Sequence, residues 1–217
     1  MRNVRVFFKK YGRVKFASHL DMNRYMIRAL RRSKLPIWYT EGFNPHPYIT
    51  FALPLSLGFE SDWEVMDMRL VDDSVSDAQV VAALSAVLPQ GIEVFAAADP
   101  VEKPGKIAFA TFEIFFEGAG ACFVQSMNDF LQQAHISVEK KGKKGKLSTV
   151  ELAGRYRDLS FAINPNGAVL KFTLPAGGSD NLNPTLYLTA AANAGVQLPP
   201  YSIRRTALLN GEGALFR

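Results

Sequence analysis

His19, Asp21 and His46 are the candidate catalytic residues of this chain, because imidazole and carboxylate groups suit acid–base chemistry near neutral pH. His19 and Asp21 stand at the start of a predicted helix, where the helix dipole disfavours the charged imidazolium. His19 is therefore expected to be neutral and able to accept a proton. Asp21 also has a structural role open to it, because Ser18 and Asp21 have the spacing of a capping box.

The loop over residues 42–47, which contains His46, is predicted to be stiff. Its candidate site residues besides the histidine are Phe43, Asn44, Pro45 and Pro47. Each proline fixes its own φ and pushes the residue before it toward an extended conformation. We expect this loop to border the same cleft as the first turn of the helix after Ser18, bringing His46 toward His19. The alternative is a rigid connection between two strands with an exposed imidazole.

Metal and cofactor sites are not indicated by the sequence. Two histidines and one carboxylate could hold a metal, but their spacing matches no ligand pattern. The chain has no Walker loop, no complete dinucleotide fingerprint and no cysteine triad for an iron–sulfur cluster. Its single cysteine, Cys122, excludes an internal disulfide framework and fits a reducing compartment. No metal and no cofactor are expected.

A row of arginines on the first predicted helix is the strongest candidate for nucleic-acid binding. Its members are Arg24, Arg28, Arg31 and Arg32. A second basic run consists of Lys140, Lys141, Lys143, Lys144 and Lys146. Guanidinium groups bind phosphate bidentately, so a row without acidic partners suits a nucleic-acid backbone. The alternatives are that the lysines are merely solvated and that the arginines pair with the acidic stretch over residues 60–77.

The charge of the chain is strongly segregated along the sequence. The net charge is only +5, but residues 1–34 hold eleven Lys or Arg against one acid. Residues 35–98 hold one base against nine acids. A basic surface of this kind is typical of proteins that bind phosphates through counterion release. The distribution therefore favours RNA over a neutral partner.

The elements that must position these residues follow an α+β order. Strand, helix, strand, strand, helix and strand are predicted over residues 3–97, with the two middle strands over 48–53 and 64–70. This is the order of a ferredoxin-like (split βαβ) unit. A further short strand is predicted over residues 37–39. A similar order follows, with one strand too many and a lysine-rich hairpin. We therefore predict two ferredoxin-like units, at residues 1–98 and 106–217, for which structural duplication is one explanation. No internal repeat is visible in the sequence itself.

The first part of the chain resembles the bacterial family of radical SAM-linked (radical SAM-associated) proteins. The resemblance rests on the segments at 10–21, 28–32, 42–47 and 51–58, on Arg24, Leu35-Pro36 and the acidic segment at 64–67, with thinner support from Arg205-Thr206. It covers roughly the first 70 residues. It implies an accessory protein of unknown activity that acts beside a radical SAM enzyme in trans, in an RNA or ribosome context.

Three functions remain open at this point. The first is a binding module that holds tRNA, rRNA or a ribosomal component for the radical SAM enzyme. The second is an RNA-processing or RNA-modifying enzyme that uses His19, Asp21 and His46. The third is a protein–protein adaptor that docks through its acidic region. With 48% hydrophobic residues, no membrane-spanning run and no secretory signal, we expect a soluble cytoplasmic protein of undetermined oligomeric state.

Overall fold

The computed structural model describes residues 1–141, 147–178 and 180–217, and this part of the chain forms four α-helices and ten β-strands. The class is α+β, and the strands are mostly antiparallel. The chain divides into two compact units. Residues 1–107 and 204–217 form the first, and residues 108–203 form the second. Among the described helices, none combines the length and the apolar character needed to cross a bilayer.

The first unit contains most of the residues singled out by the sequence. Its elements are β1 (Arg2–Lys10), α1 (His19–Arg32), β2 (Ile49–Phe51), β3 (Glu60–Leu70), α2 (Asp77–Ser85), β4 (Ile92–Ala98) and most of β10 (Tyr201–Asn210). β1 lies between β4 and β3 and is antiparallel to both. The edge of β3 opposite β1 pairs with two strands. β2 is antiparallel to β3 near one end, and β10 is parallel to it near the other.

The apolar core of the first unit lies between this sheet and its two helices. It contains Val4, Val6, Phe8, Met22, Met26, Leu30, Met66, Met68, Leu70, Val80 and Leu84, among others. The strand residues alternate along β1 and β3, because successive side chains of a strand point to opposite faces. The helix residues recur at intervals of three and four, which places them along one side of each helix.

The second unit follows the order of elements in the first as far as its second helix, with one insertion. Its elements are β5 (Ile107–Glu117), α3 (Ala121–Leu131), β6 (Ser137–Lys141), β7 (Leu147–Glu151), β8 (Arg157–Asn164), β9 (Gly167–Pro175) and α4 (Pro184–Asn193). β9 pairs with both β5 and β8, all antiparallel. β6 and β7 form a separate two-stranded hairpin. This hairpin adds two strands to the order of the first unit, whereas the sequence predicted one strand too many.

Several local predictions are confirmed, and two strands differ. Asn183 caps α4 through a bond of 2.9 Å from the Thr185 N–H, as its position before a proline predicts. The strand predicted over residues 37–39 is reduced to isolated bridges. β3 begins at Glu60, four residues before the predicted start. Polar residues open β3, and there Ser61 pairs with Lys10 of β1 and with Arg205 of β10, which extends the strand.

The C-terminal residues 204–217 lie in the first unit, whereas the order of elements along the sequence predicted them in the second. The parallel pairing of Arg204 with Glu60 and of Arg205 with Ser61 accounts for this difference. Such a pairing joins residues more than 140 positions apart, and no local pattern announces it.

Candidate functional site

Helix α1 begins at a complete capping box. The Ser18 hydroxyl accepts a hydrogen bond from the Asp21 N–H, and the Asp21 carboxylate accepts bonds from the Ser18 N–H and hydroxyl at 3.2 and 2.7 Å. These bonds from Ser18 hold the pKa of the Asp21 carboxyl below its ordinary value. The predicted capping box is confirmed, and no described contact of Asp21 indicates a role as a base.

The two sides of α1 differ sharply in composition. Its buried residues are Met22, Met26, Ala29 and Leu30. Its outer side carries Arg24, Arg28, Arg31 and Arg32, all of which are exposed. Because the apolar residues anchor the helix on the sheet, the arginines are held together on a rigid surface. We call these four residues the arginine face.

The members of the arginine face have few partners within the protein. Arg24 lies 3.6 Å from the Asp21 carboxylate, an exposed pair one turn apart on the helix. Arg32 donates a hydrogen bond of 2.9 Å to the Val87 carbonyl oxygen. Arg28 and Arg31 contact no carboxylate in the part of the chain that the structure describes.

Three acidic residues of β3 pair with arginines from other strands. Arg5 forms a bidentate pair with Asp67, at 2.7 and 2.8 Å. Glu60 lies 3.0 Å from the Arg204 guanidinium. Glu64 lies 2.5 Å from the Arg205 guanidinium. The described contacts of these three carboxylates therefore do not include the arginine face.

A shallow depression lies beside the arginine face. It has a volume of about 220 Å³ and is lined by Tyr25, Arg28, Arg32, Val87 and Pro89. One wall belongs to α1, and the other belongs to the turn that follows α2. A tyrosine ring and two guanidinium groups thus meet in one concave surface.

A second cluster of charged residues is buried in the first unit. Arg205 and Glu64 are 2% and 5% exposed, and Lys10 is 2% exposed. Arg205 also donates a bond of 2.9 Å to the Leu53 carbonyl oxygen, and Lys10 donates one of 3.0 Å to the Ala17 carbonyl oxygen. Burial lowers the pKa of the Lys10 ammonium, and Arg205 lowers it further, while Glu64 opposes the shift.

This buried cluster borders a very small cavity. The cavity has a volume of about 10 Å³ and is lined by Phe8, Lys10, His19, Met22, Phe51, Pro54, Leu55 and Glu64. That volume is about the lower limit for one water molecule. This cavity is therefore too small to hold a substrate.

The cluster of Lys10, Glu64 and Arg205 was not predicted from the sequence, although a signal for it was present. Residues two positions apart in a strand lie on the same face. Lys10 is two residues after the buried Phe8, and Glu64 is two residues before the buried Met66, so each charged residue is on an apolar face of its strand. A charged residue at an inward position of a strand indicates a buried ion pair or a functional group.

Replacing Lys10 by methionine should leave the protein no less stable at neutral pH, because burial penalises the ammonium more than Glu64 favours it, and Glu64 keeps its pairing with Arg205. A lysine whose pKa is lowered in the folded state lowers stability below that pKa. The folded state regains this free energy as pH rises toward the ordinary value of 10.5. The stability difference between Lys10→Met and wild type should therefore shrink between about pH 7 and about pH 10.

Urea midpoints measured across this pH range test the expectation. Lys9→Met is the matched control, because Lys9 is partly exposed and pairs with Glu93 at 3.5 Å. The control should show a much smaller pH-dependent difference. A Lys10→Met protein that is clearly less stable at pH 7 would contradict the buried-charge argument.

The two candidate histidines have separate contacts. The His19 ring lies edge-on to Phe51, with ring centroids 5.3 Å apart. The His46 Nδ1 lies 3.0 Å from the Asn44 carbonyl oxygen and 3.2 Å from the Thr40 hydroxyl. These contacts have no residue in common, and a shared cleft for the two imidazoles stays a prediction.

The loop that carries His46 is closed by hydrogen bonds between its two ends. The Thr40 N–H donates to the His46 carbonyl oxygen at 2.9 Å, and the His46 N–H donates to the Thr40 hydroxyl at 3.2 Å. Phe43 is fully exposed near the middle of the loop, and Asn44 and Pro45 are also exposed, whereas Pro47 is buried. The imidazole therefore supports the loop conformation through its Nδ1.

The lysine-rich turn falls mostly outside the described residues. Lys143, Lys144 and Lys146 belong to this part and lie outside the described residues. The backbones of Lys140 and Lys141 pair with β7, which confirms the predicted hairpin arms. Within the described residues, no group of three or more His, Cys, Asp or Glu side chains could hold a metal ion.

A family model matches residues 3–184, and its description is "Uncharacterized protein conserved in bacteria (DUF2344)". The chain belongs to this family. The match covers most of both units and is consistent with the resemblance to a bacterial domain of unknown function. The family description contains no reference to radical SAM chemistry or to RNA.

Comparison with curated proteins found no match. Among solved structures, the chain is similar to one in the "Crystal Structure of a Cbf5-Nop10-Gar1 Complex", with 13% sequence identity and a TM-score of 0.48. The alignment covers 94% of this chain and 48% of that one. This chain therefore spans about half the length of the structure it matches.

Proposed function

We propose that this protein is an RNA-binding accessory protein of a radical SAM enzyme and that RNA phosphates bind its arginine face. The pairing pattern of the first unit supports this proposal. Carboxylates between residues 60 and 67 form ion pairs with Arg5, Arg204 and Arg205. In contrast, Arg28 and Arg31 contact no carboxylate among the described residues. Exposed guanidinium groups of this kind are suited to phosphate.

The partner assignment rests on the sequence resemblance. That resemblance implies a radical SAM enzyme acting in trans on tRNA, rRNA or a ribosomal component. The protein would hold the RNA, and the enzyme would supply the radical chemistry. Co-purification from native cells, with sequencing of bound RNA and identification of bound proteins, tests this assignment.

The finer fold assignment is also part of the proposal. We propose that both units are ferredoxin-like and that the second carries the β6–β7 hairpin as an insertion. The sheet order β4-β1-β3-β2 of the first unit supports this assignment. In the second unit, the order β5, α3, β8, β9, α4 around the hairpin and the arrangement β5-β9-β8 support it.

RNA affinity should depend steeply on salt if the arginine face binds phosphates. For about six phosphate contacts, the slope of log K against log salt concentration should be about −4 to −5. Fluorescence anisotropy with a labelled tRNA, over a series of salt concentrations, measures this slope. A slope near zero, or no binding at low salt, would contradict the proposal and favour a protein–protein adaptor.

An RNA-processing enzyme would behave differently in the same assay. Turnover of the labelled RNA by the isolated protein, lost in His19→Ala and His46→Ala, would favour the enzymatic alternative. Binding without turnover, unaffected by these two substitutions, is the result expected of an accessory protein.

A further inference from the structure

We infer that the depression beside the arginine face is a binding site for one unpaired RNA base, which we call the base seat. In this site the base stacks on the tyrosine ring and the arginines bind its phosphate. This inference rests on the proposed function and specifies its substrate class as single-stranded RNA. The seat is formed by Tyr25, Arg28, Arg32, Val87 and Pro89. Its chemistry is an aromatic ring, two guanidinium groups and two apolar residues, without a carboxylate.

The spacing of the three α1 residues brings them onto one side of the helix. Tyr25 and Arg28 are three residues apart, and Arg28 and Arg32 are four apart, so neighbouring side chains lie within reach of each other. Tyr25 is 38% exposed, which leaves part of its ring open to solvent. An exposed ring beside cations is the arrangement on which unpaired bases stack.

The opposite wall holds one of the guanidinium groups in place. Arg32 donates to the Val87 carbonyl oxygen at 2.9 Å, which links α1 to the turn after α2. A guanidinium has five N–H donors, so this bond leaves others for a phosphate. Val87 and Pro89 supply an apolar surface against which the edge of a base can pack.

These features favour single-stranded over duplex RNA. In a duplex the bases are stacked on each other, and a tyrosine ring on the protein surface has no base face to contact. Arginines that bind only phosphate would accept both forms. A contribution from Tyr25 confined to single-stranded RNA therefore distinguishes a base seat from a simple phosphate-binding surface.

The test compares Tyr25→Ala with wild type on a single-stranded RNA oligonucleotide and on the duplex that it forms with its complement. Loss of one stacked base should lower single-strand affinity roughly tenfold. Duplex affinity and the salt slope should be unchanged. Tyr25→Phe should retain the affinity, because it keeps the ring.

Tyr11→Ala is the matched control, because Tyr11 is equally exposed, at 38%, and does not line the depression. Equal urea midpoints establish that each variant is folded. If Tyr25→Ala binds single-stranded RNA as wild type does, the base seat is overturned while the proposed RNA-binding function survives.

Two other outcomes would also overturn the inference. If wild type binds neither form of RNA, the proposed function fails together with the seat. If a mononucleotide competes at the same concentration as the oligonucleotide, the seat belongs to a free nucleotide and not to RNA.

Discussion

Arg205→Met is expected to lower the free energy of unfolding by about 3 kcal/mol or more, because it leaves the Glu64 carboxylate buried without its main partner. The side chains of both residues are nearly inaccessible, and their closest N–O distance is 2.5 Å. The substitution also removes the hydrogen bond to the Leu53 carbonyl oxygen. Urea unfolding, monitored by tryptophan fluorescence, measures this loss of stability, because both tryptophans, Trp38 and Trp63, lie in the first unit.

The double variant Arg205→Met with Glu64→Met distinguishes loss of a charge partner from loss of packing. Removing both charges of a buried pair is often neutral or stabilising, so the second substitution should recover most of the lost stability. A loss below about 1 kcal/mol for Arg205→Met alone would show that the buried carboxylate is already compensated elsewhere. Lys10 is the candidate for that compensation, since its charge interacts with Glu64.

Charge reversal on the arginine face should have the largest effect on RNA binding. Arg28→Glu combined with Arg31→Glu replaces two exposed cations that contact no carboxylate among the described residues. A lost contact to a charged group is worth about 1.5 kcal/mol or more, so affinity should fall about 100-fold. The slope of log K against log salt should become shallower by about two.

The matched control for charge is Lys103→Glu combined with Lys106→Glu. Both lysines are exposed and lie at the short turn before β5, away from α1 in the sequence. The control changes the net charge by the same amount and should weaken binding much less. Equal losses in the two double variants would indicate a general charge effect and contradict a defined arginine face.

The elements of the first unit follow largely from local sequence. The capping box at Ser18 and the apolar spacing of Met22, Met26 and Leu30 determine where α1 begins and which side is buried. The same spacing places the arginines on the outer side. These features depend on residues at most a few turns apart, so a single sequence is sufficient to predict them.

The ion-pair partners of the acidic residues over 60–77 could not be predicted from local sequence. The sequence left open whether the acids of residues 60–77 would neutralise the arginine face. In the structure, Arg5, Arg204 and Arg205 reach them instead, through strands that are adjacent only in the folded sheet. Strand order is a long-range property, and it decides which charges meet.

The sequence by itself determined a basic helix face and an α+β order of elements, because these follow from residue type and short-range periodicity. Only the tertiary structure decided which charges were buried, which arginines stayed exposed and where a tyrosine and two arginines formed a depression. The return of the chain to β3 through β10 joins residues more than 140 positions apart. Burial and pairing at that distance depend on packing, which periodicity along the chain does not encode.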